Sequence, residues 1–88
     1  MVEGTAVLAN KHGLHARPAA EFVKLAGRFE ADVKITKDDL TVDGKSIMGV
    51  MMLAAERGSQ ILLRIDGTDE HAALDALVAF LETEHKEE

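Results

Sequence analysis

Apolar and polar residues change period several times along this chain, and each change predicts an element. Thr5-Ala6-Val7-Leu8-Ala9 is a short apolar run ahead of the loop at 10–13, as a strand would give. Ala19, Phe22, Val23 and Ala26 then fall at i, i+3, i+4 and i+7, and Gly27 stands where a C-terminal cap belongs, so the spacing predicts a helix over 16–26. Ala31-Asp32-Val33-Lys34-Ile35 alternates with period two. Lys37-Asp38-Asp39 turns the chain, Leu40-Thr41-Val42 starts back and Asp43-Gly44 closes what reads as a hairpin.

Ser46 is a suitable N-cap for a helix over 47–55 that Gly58 would end. Val50, Leu53 and Ala54 can face a core on that helix, which leaves Ile47, Met48, Met51 and Met52 mainly on its other sides. A helix covering one sheet face cannot bury both sets. Gln60-Ile61-Leu62-Leu63-Arg64-Ile65 places Ile61, Leu63 and Ile65 on one face of a strand, and Asp66-Gly67 turns it. Thr68 can cap a last helix with Asp69 and Glu70 in its first turn, at the positive end of the dipole, and with Leu74, Leu77, Val78 and Leu81 as its apolar stripe. Residues 83–88 have nothing to bury and read as a frayed helix end.

The predicted order is β-α-β-β-α-β-α, an α+β arrangement in which the helices need a sheet face to cover their apolar stripes. Pattern alone fits a ferredoxin-like split βαβ unit with an added C-terminal helix, and it does not set the strand order. No repeat, low-complexity stretch or linker divides the 88 residues, so they are expected to form one domain over 1–88. Thirteen of the apolar residues are alanines, which makes for a thin core. A core of this kind cannot easily wall in the cleft of roughly several hundred cubic ångströms that a small substrate needs. Any chemistry is expected at the surface.

Charge narrows the partners. Ten Lys and Arg against sixteen Asp and Glu give a net charge of -6, the wrong sign for a nucleic-acid backbone. No apolar run has the roughly 20 residues of a membrane span, and the N-terminus lacks the pattern of a signal peptide. The absence of cysteine fits a reducing cytoplasm.

The candidate chemistry lies in Lys11-His12-Gly13-Leu14-His15-Ala16-Arg17-Pro18-Ala19-Ala20, where a loop delivers His15 to the start of the first helix. A helix N-terminus carries unpaired N-H groups and the positive end of the macrodipole, a site suited to an anion. Arg17 adds a guanidinium able to bind a phosphoryl group through two parallel hydrogen bonds. Pro18 costs little in a first turn, although it biases Arg17 toward the helix boundary. Neutral imidazole is a nucleophile near neutral pH, so this set of groups suits the acceptance and transfer of a phosphoryl group. A histidine here also serves as a plain cap or a solvated loop residue. His12 and His15, three apart, lack a third metal ligand nearby.

Gly13-Leu14-His15-Ala16-Arg17-Pro18-Ala19 resembles the active-site signature of the HPr family, the histidine-containing phosphocarriers of the bacterial phosphoenolpyruvate-dependent sugar phosphotransferase system. Lys45-Ser46-Ile47-Met48-Gly49-Val50-Met51 resembles the family's second signature in its Gram-positive form, and the resemblance covers essentially the whole chain. It implies an open-faced β-sandwich, with three helices on one face of a four-stranded antiparallel sheet of order 1-4-2-3. It also implies that His15 is phosphorylated on Nδ1 by phospho-enzyme I and hands the group to enzyme IIA domains, with no cofactor and no metal. Arg17 would stabilise the phosphoryl group, and the backbone amides of Ala16 and Arg17 would line the site. His12 departs from the small polar residue common at its position and would set a second imidazole near the phosphate.

By the same resemblance, Ile47, Met48 and Met51 form an exposed patch that docks enzyme I and the enzyme IIA domains. Ser46 would be the target of an HPr kinase/phosphorylase, with a transcriptional regulator as a further partner. Phosphate on Ser46 would set roughly two negative charges against the docking patch. A monomer in the cytoplasm is expected, with no membrane and no nucleic acid among its partners. Two other readings stay open: a regulatory HPr-like binding module that works through Ser46 and the adjacent Met patch, and a carrier for a nitrogen-related or dihydroxyacetone phosphotransferase branch.

Overall fold

The computed structural model describes residues 1–85. It contains β1 (Val2–Val7), α1 (Ala16–Ala26), β2 (Asp32–Lys37), β3 (Leu40–Asp43), α2 (Ile47–Met52), β4 (Gln60–Asp66) and α3 (Glu70–Leu81). The strands form one antiparallel sheet of order β1-β4-β2-β3, the order implied by the family resemblance. Register explains which side chains meet. Val2, Gly4 and Ala6 of β1 lie opposite Ile65, Leu63 and Ile61 of β4, and Leu63 and Ile65 in turn lie opposite Ile35 and Val33 of β2. The period-two alternation therefore brings Ala6, Val33, Ile35, Ile61, Leu63 and Ile65 into one buried layer. Glu3, Thr5, Lys34 and Arg64 point to the open face, where Arg64 pairs with Glu3 at 2.9 Å.

The helices close the other face of the sheet. Pro18, Ala19, Phe22 and Ala26 of α1 are buried with Ala73, Leu77 and Leu81 of α3, and Val50 and Leu53 join them from α2 and its end. Val23, Leu74 and Val78 are half-buried at the margins. Phe22 meets Phe80 edge to face with ring centroids 5.9 Å apart, a favourable aromatic geometry.

Several boundaries differ from the sequence pattern for identifiable reasons. The first strand begins at Val2, not Thr5, because its inward residues Gly4 and Ala6 carry little apolar signal. Leu8 and Ala9 have left the ladder, and their N-H groups donate to the carbonyls of Ser59 and Leu81. The second helix ends at Met52, three residues short of expectation. Ala54 takes a left-handed φ of 50°, which turns the Ala55 carbonyl toward the Leu14 N-H at 3.0 Å. Ala54, expected to face the core, is consequently exposed, and Ala55 is buried. Gly58, with φ 89°, belongs to the turn before β4 and not to the helix end.

Asp69, not Thr68, is the N-cap residue of α3, and its carboxylate does not cap the helix. It accepts from the N-H groups of Glu30 and Ala31 at 2.8 and 2.9 Å and so ties the start of α3 to the segment that enters β2. These bonds hold the Asp69 carboxyl below the usual carboxylate range, the Glu30 N-H having the largest effect. The tail is also not simply frayed. His85 is half-buried, its ring lies 4.2 Å from that of Phe80, one ring nitrogen is 2.9 Å from the Phe80 carbonyl oxygen, and its N-H donates to Asn10. Residues 86–88 of the expected frayed end lie outside the described residues.

Candidate functional site

The loop between β1 and α1 is shaped by Asn10 and Gly13. Gly13 has φ 73°, a region costly for any residue with a β-carbon, and its Cα faces the Ala55 carbonyl. Among the described residues, Asn10 is the one polar side chain fully buried in the core. Its amide nitrogen donates to the Gly13 carbonyl at 3.1 Å, its oxygen accepts the His85 N-H at 2.9 Å, and its own carbonyl accepts the Gly13 N-H at 3.0 Å. Leu14 is buried beside them, so the loop is anchored from both sides of its turn. Asn10 was not among the residues singled out from the sequence. Nothing in a local pattern tells a buried loop asparagine from a solvated one.

His15 follows directly as the N-cap residue of α1, in an extended conformation with φ -80° and ψ -169°. Its carbonyl accepts the first helical hydrogen bond, from Ala19 at 2.9 Å. The amides of Ala16 and Arg17 therefore precede the helical ladder, and Pro18 brings no N-H to the first turn. The tension over Arg17 resolves in favour of the helix: Ala16 and Arg17 are both inside α1, and Pro18 is the third residue of its first turn. His15, Ala16 and Arg17 are all exposed. The first turn holds no acidic residue, so no carboxylate of this turn competes with an anion for the dipole and the guanidinium.

An open hollow of about 370 Å³ adjoins His15, lined by His12, Leu14, Met51, Ala54, Ala55 and Glu56 in addition to His15 itself. It joins the loop to α2. Ser46 is the N-cap of α2, its hydroxyl oxygen accepting the Gly49 N-H at 3.1 Å, as its place in the sequence predicted. Ile47 (45%), Met48 (75%), Met51 (43%) and Met52 (63%) are exposed, which rules out a gap-filling role in the core for these methionines. Contiguous apolar side chains of this kind, beside an exposed imidazole, make a surface suited to partners. Met52 belongs to that surface too.

Among the described residues no three His, Cys, Asp or Glu gather closely enough to hold a metal ion, and no helix is long and apolar enough to cross a membrane.

A family model described as the PTS HPr component phosphorylation site matches residues 2–83. The chain is 49% identical over 81 residues to the phosphocarrier protein HPr of Cupriavidus necator, covering 92% of this chain and 91% of that protein. It is 50% identical over 84 residues to the HPr-like protein Crh of Halalkalibacterium halodurans, covering 96% of this chain and all of that one. The crystal structure of a phosphocarrier protein HPr from Bacillus anthracis superimposes with a TM-score of 0.88 at 49% identity, over 91% of this chain and 95% of that chain.

Proposed function

This chain belongs to the HPr family of phosphotransferase-system phosphocarriers, and on that premise we propose that it accepts a phosphoryl group from phospho-enzyme I on His15. It then passes the group to enzyme IIA domains in phosphoenolpyruvate-dependent sugar uptake, as a single cytoplasmic domain. The observation that carries this reading is the exposed His15 at the N-cap of α1, with the amides of Ala16 and Arg17 and the guanidinium of Arg17 in the same turn.

In the transfer, the lone pair of neutral His15 Nδ1 attacks phosphorus. The new N-P bond forms as the donor's N-P bond breaks, and the leaving electron pair stays on the donor nitrogen. Charge on the phosphoryl oxygens is met by Arg17 and by the positive end of α1. The second transfer repeats the step with His15 as the leaving group. A phosphoryl group on an exposed imidazole needs no cleft of its own, because each docked partner completes the site. Ile47, Met48 and Met51 are the docking surface in this reading, and Met51 lines the same hollow as His15.

Phosphoenolpyruvate with enzyme I should label one acid-labile, base-stable site, and His15→Ala should abolish the label. Equal labelling of the variant would show that His15 is not the acceptor.

Regulation through Ser46 is part of the proposal. An ATP-dependent HPr kinase/phosphorylase would place a phosphate at the start of α2, where the helix dipole tolerates it, but against the apolar patch that partners use. The resemblance to the HPr-like protein Crh favours a second reading, a purely regulatory module acting on a transcriptional regulator through Ser46 and the patch. The presence of His15 favours the carrier.

A further inference from the structure

The hollow beside His15 contains a second imidazole. His12 and His15 are both exposed, their ring centroids stand 6.0 Å apart and their planes meet at 75°. The loop that carries them is built to keep this relation. Gly13 turns the chain between them at φ 73°, the Gly13 N-H is bonded to Asn10, and the Leu14 N-H is bonded to Ala55. Both rings line the one depression, together with Met51 and Glu56.

We propose that His12 is a second phosphate-contacting residue: once His15 carries a phosphoryl group, the His12 imidazolium donates a hydrogen bond to a phosphoryl oxygen, so that loading of His15 and protonation of His12 favour one another. The proposal rests on the assignment of the phosphoryl group to His15.

Charge at short range couples the two rings. Before loading, the neighbour of His12 is another imidazole, its ring centroid 6.0 Å away. After loading, the neighbour is an anion of roughly two charges, and an opposite charge within about 4 to 6 Å favours the protonated form by about 1 to 3 pKa units. His12 must therefore hold its proton to higher pH in the loaded protein. The sign follows: the stabilisation is fully present below the pKa of His12 in the unloaded protein and is lost as pH rises through its pKa in the loaded protein. Each unit between the two is a tenfold change in the loading equilibrium. Arg17 supplies its charge at every pH, so His12 adds the part that pH controls. Among the described residues, Glu56 lines the same hollow from the connection after α2, and Lys11 is the neighbour of His12 in the chain. Met51, contributed by α2, is neutral. Glu56 and Lys11 are present in both states and largely cancel in the difference.

The test follows the His12 Cε1-H resonance through a pH titration of the free protein and of protein held phosphorylated by enzyme I and phosphoenolpyruvate. The midpoint for His12 should rise by about one unit or more on loading. At a set phosphoenolpyruvate-to-pyruvate ratio, wild type should exceed His12→Gln in loaded fraction, and the ratio of their equilibrium constants should be about tenfold larger near pH 5.5 than near pH 8.5. The comparison removes the proton that the phosphoryl group itself binds. His12→Lys, with a charge that does not titrate in this range, should keep the advantage at both pH values. A His12 midpoint that does not move, or a ratio equal at the two pH values, overturns the proposal while leaving the carrier function intact. Wild type that takes no label, or His15→Ala that takes it, overturns the assignment to His15 and this proposal with it.

Discussion

Gly13 and Ala55 pass so close that no side chain fits between them: a β-carbon on Gly13 would overlap the Ala55 carbonyl oxygen, the same oxygen that accepts the Leu14 N-H at 3.0 Å. This contact sets the direction in which the chain enters α1, and hence where His15 stands. Gly13→Ala adds both that overlap and an unfavourable φ. It is expected to cost about 2 kcal/mol or more in urea unfolding, and to slow His15 charging at least about tenfold by displacing the loop. Unchanged charging in a destabilised variant would separate the loop's path from its chemistry.

Asn10→Ala removes the buried amide that joins the Gly13 carbonyl to the His85 N-H. Two backbone groups lose their partner, and the expected loss is about 1 to 3 kcal/mol. His85→Ala leaves the backbone N-H in place and removes only the ring on Phe80, so it should cost less. Thermal unfolding of the two variants side by side checks the order.

Ser46→Ala deletes the acceptor of the Gly49 N-H and should destabilise the protein by about 1 kcal/mol. Ser46→Asp keeps a good capping oxygen and adds a charge next to Ile47 and Met48. Its unfolding midpoint should stay near wild type while the KM of enzyme I for the protein rises. Unaltered KM in Ser46→Asp would remove the electrostatic basis for regulation at this serine.

Met48 is the most exposed of the large apolar residues. Met48→Glu should leave stability within about 0.5 kcal/mol of wild type, since little packing is lost. Binding to enzyme I should weaken by about tenfold or more in titration calorimetry if the patch is the docking surface. Equal affinity would move the docking surface elsewhere.

Asp69 governs part of the acid behaviour. Its carboxyl is held below the usual carboxylate range, first by the Glu30 N-H, with the Ala31 N-H and the charge of Lys45 acting in the same sense. A lowered folded-state pKa contributes stability that is present above the unfolded-state pKa and lost as pH falls through the lower folded value. Asp69→Asn should start less stable at neutral pH and lose less on acidification, so the two stability curves converge toward low pH. Urea midpoints measured from about pH 7 to about pH 2 test this. Parallel curves would mean that the carboxylate contributes no pH-dependent stability.

The local pattern determined much of this molecule. The helical spacing of Ala19, Phe22, Val23 and Ala26 returns as α1, the alternation of Ile61, Leu63 and Ile65 returns as the buried face of β4, and Ser46 caps α2 as its position required. The surplus of apolar residues on α2 already implied an exposed patch, because one sheet face cannot take Val50 and Met48 together. Periodicity reports which side of an element is buried, and these features depend on nothing else. The strand order β1-β4-β2-β3 was legible through the two signature motifs and not through the pattern, since many sheets share one order of elements.

Only the tertiary structure decided where α2 stops, what Asp69 does and how the tail ends. Each of these depends on a hydrogen bond between segments distant in the chain: Leu14 to Ala55, Ala31 to Asp69, His85 to Asn10. A long-range partner outcompetes a local preference without leaving a mark in the spacing of apolar residues. The same holds for the candidate site. His15 and Arg17 stand out in the chain as candidates, but the folded loop alone sets His12 6.0 Å from His15 and brings Met51 and Glu56 to the same hollow.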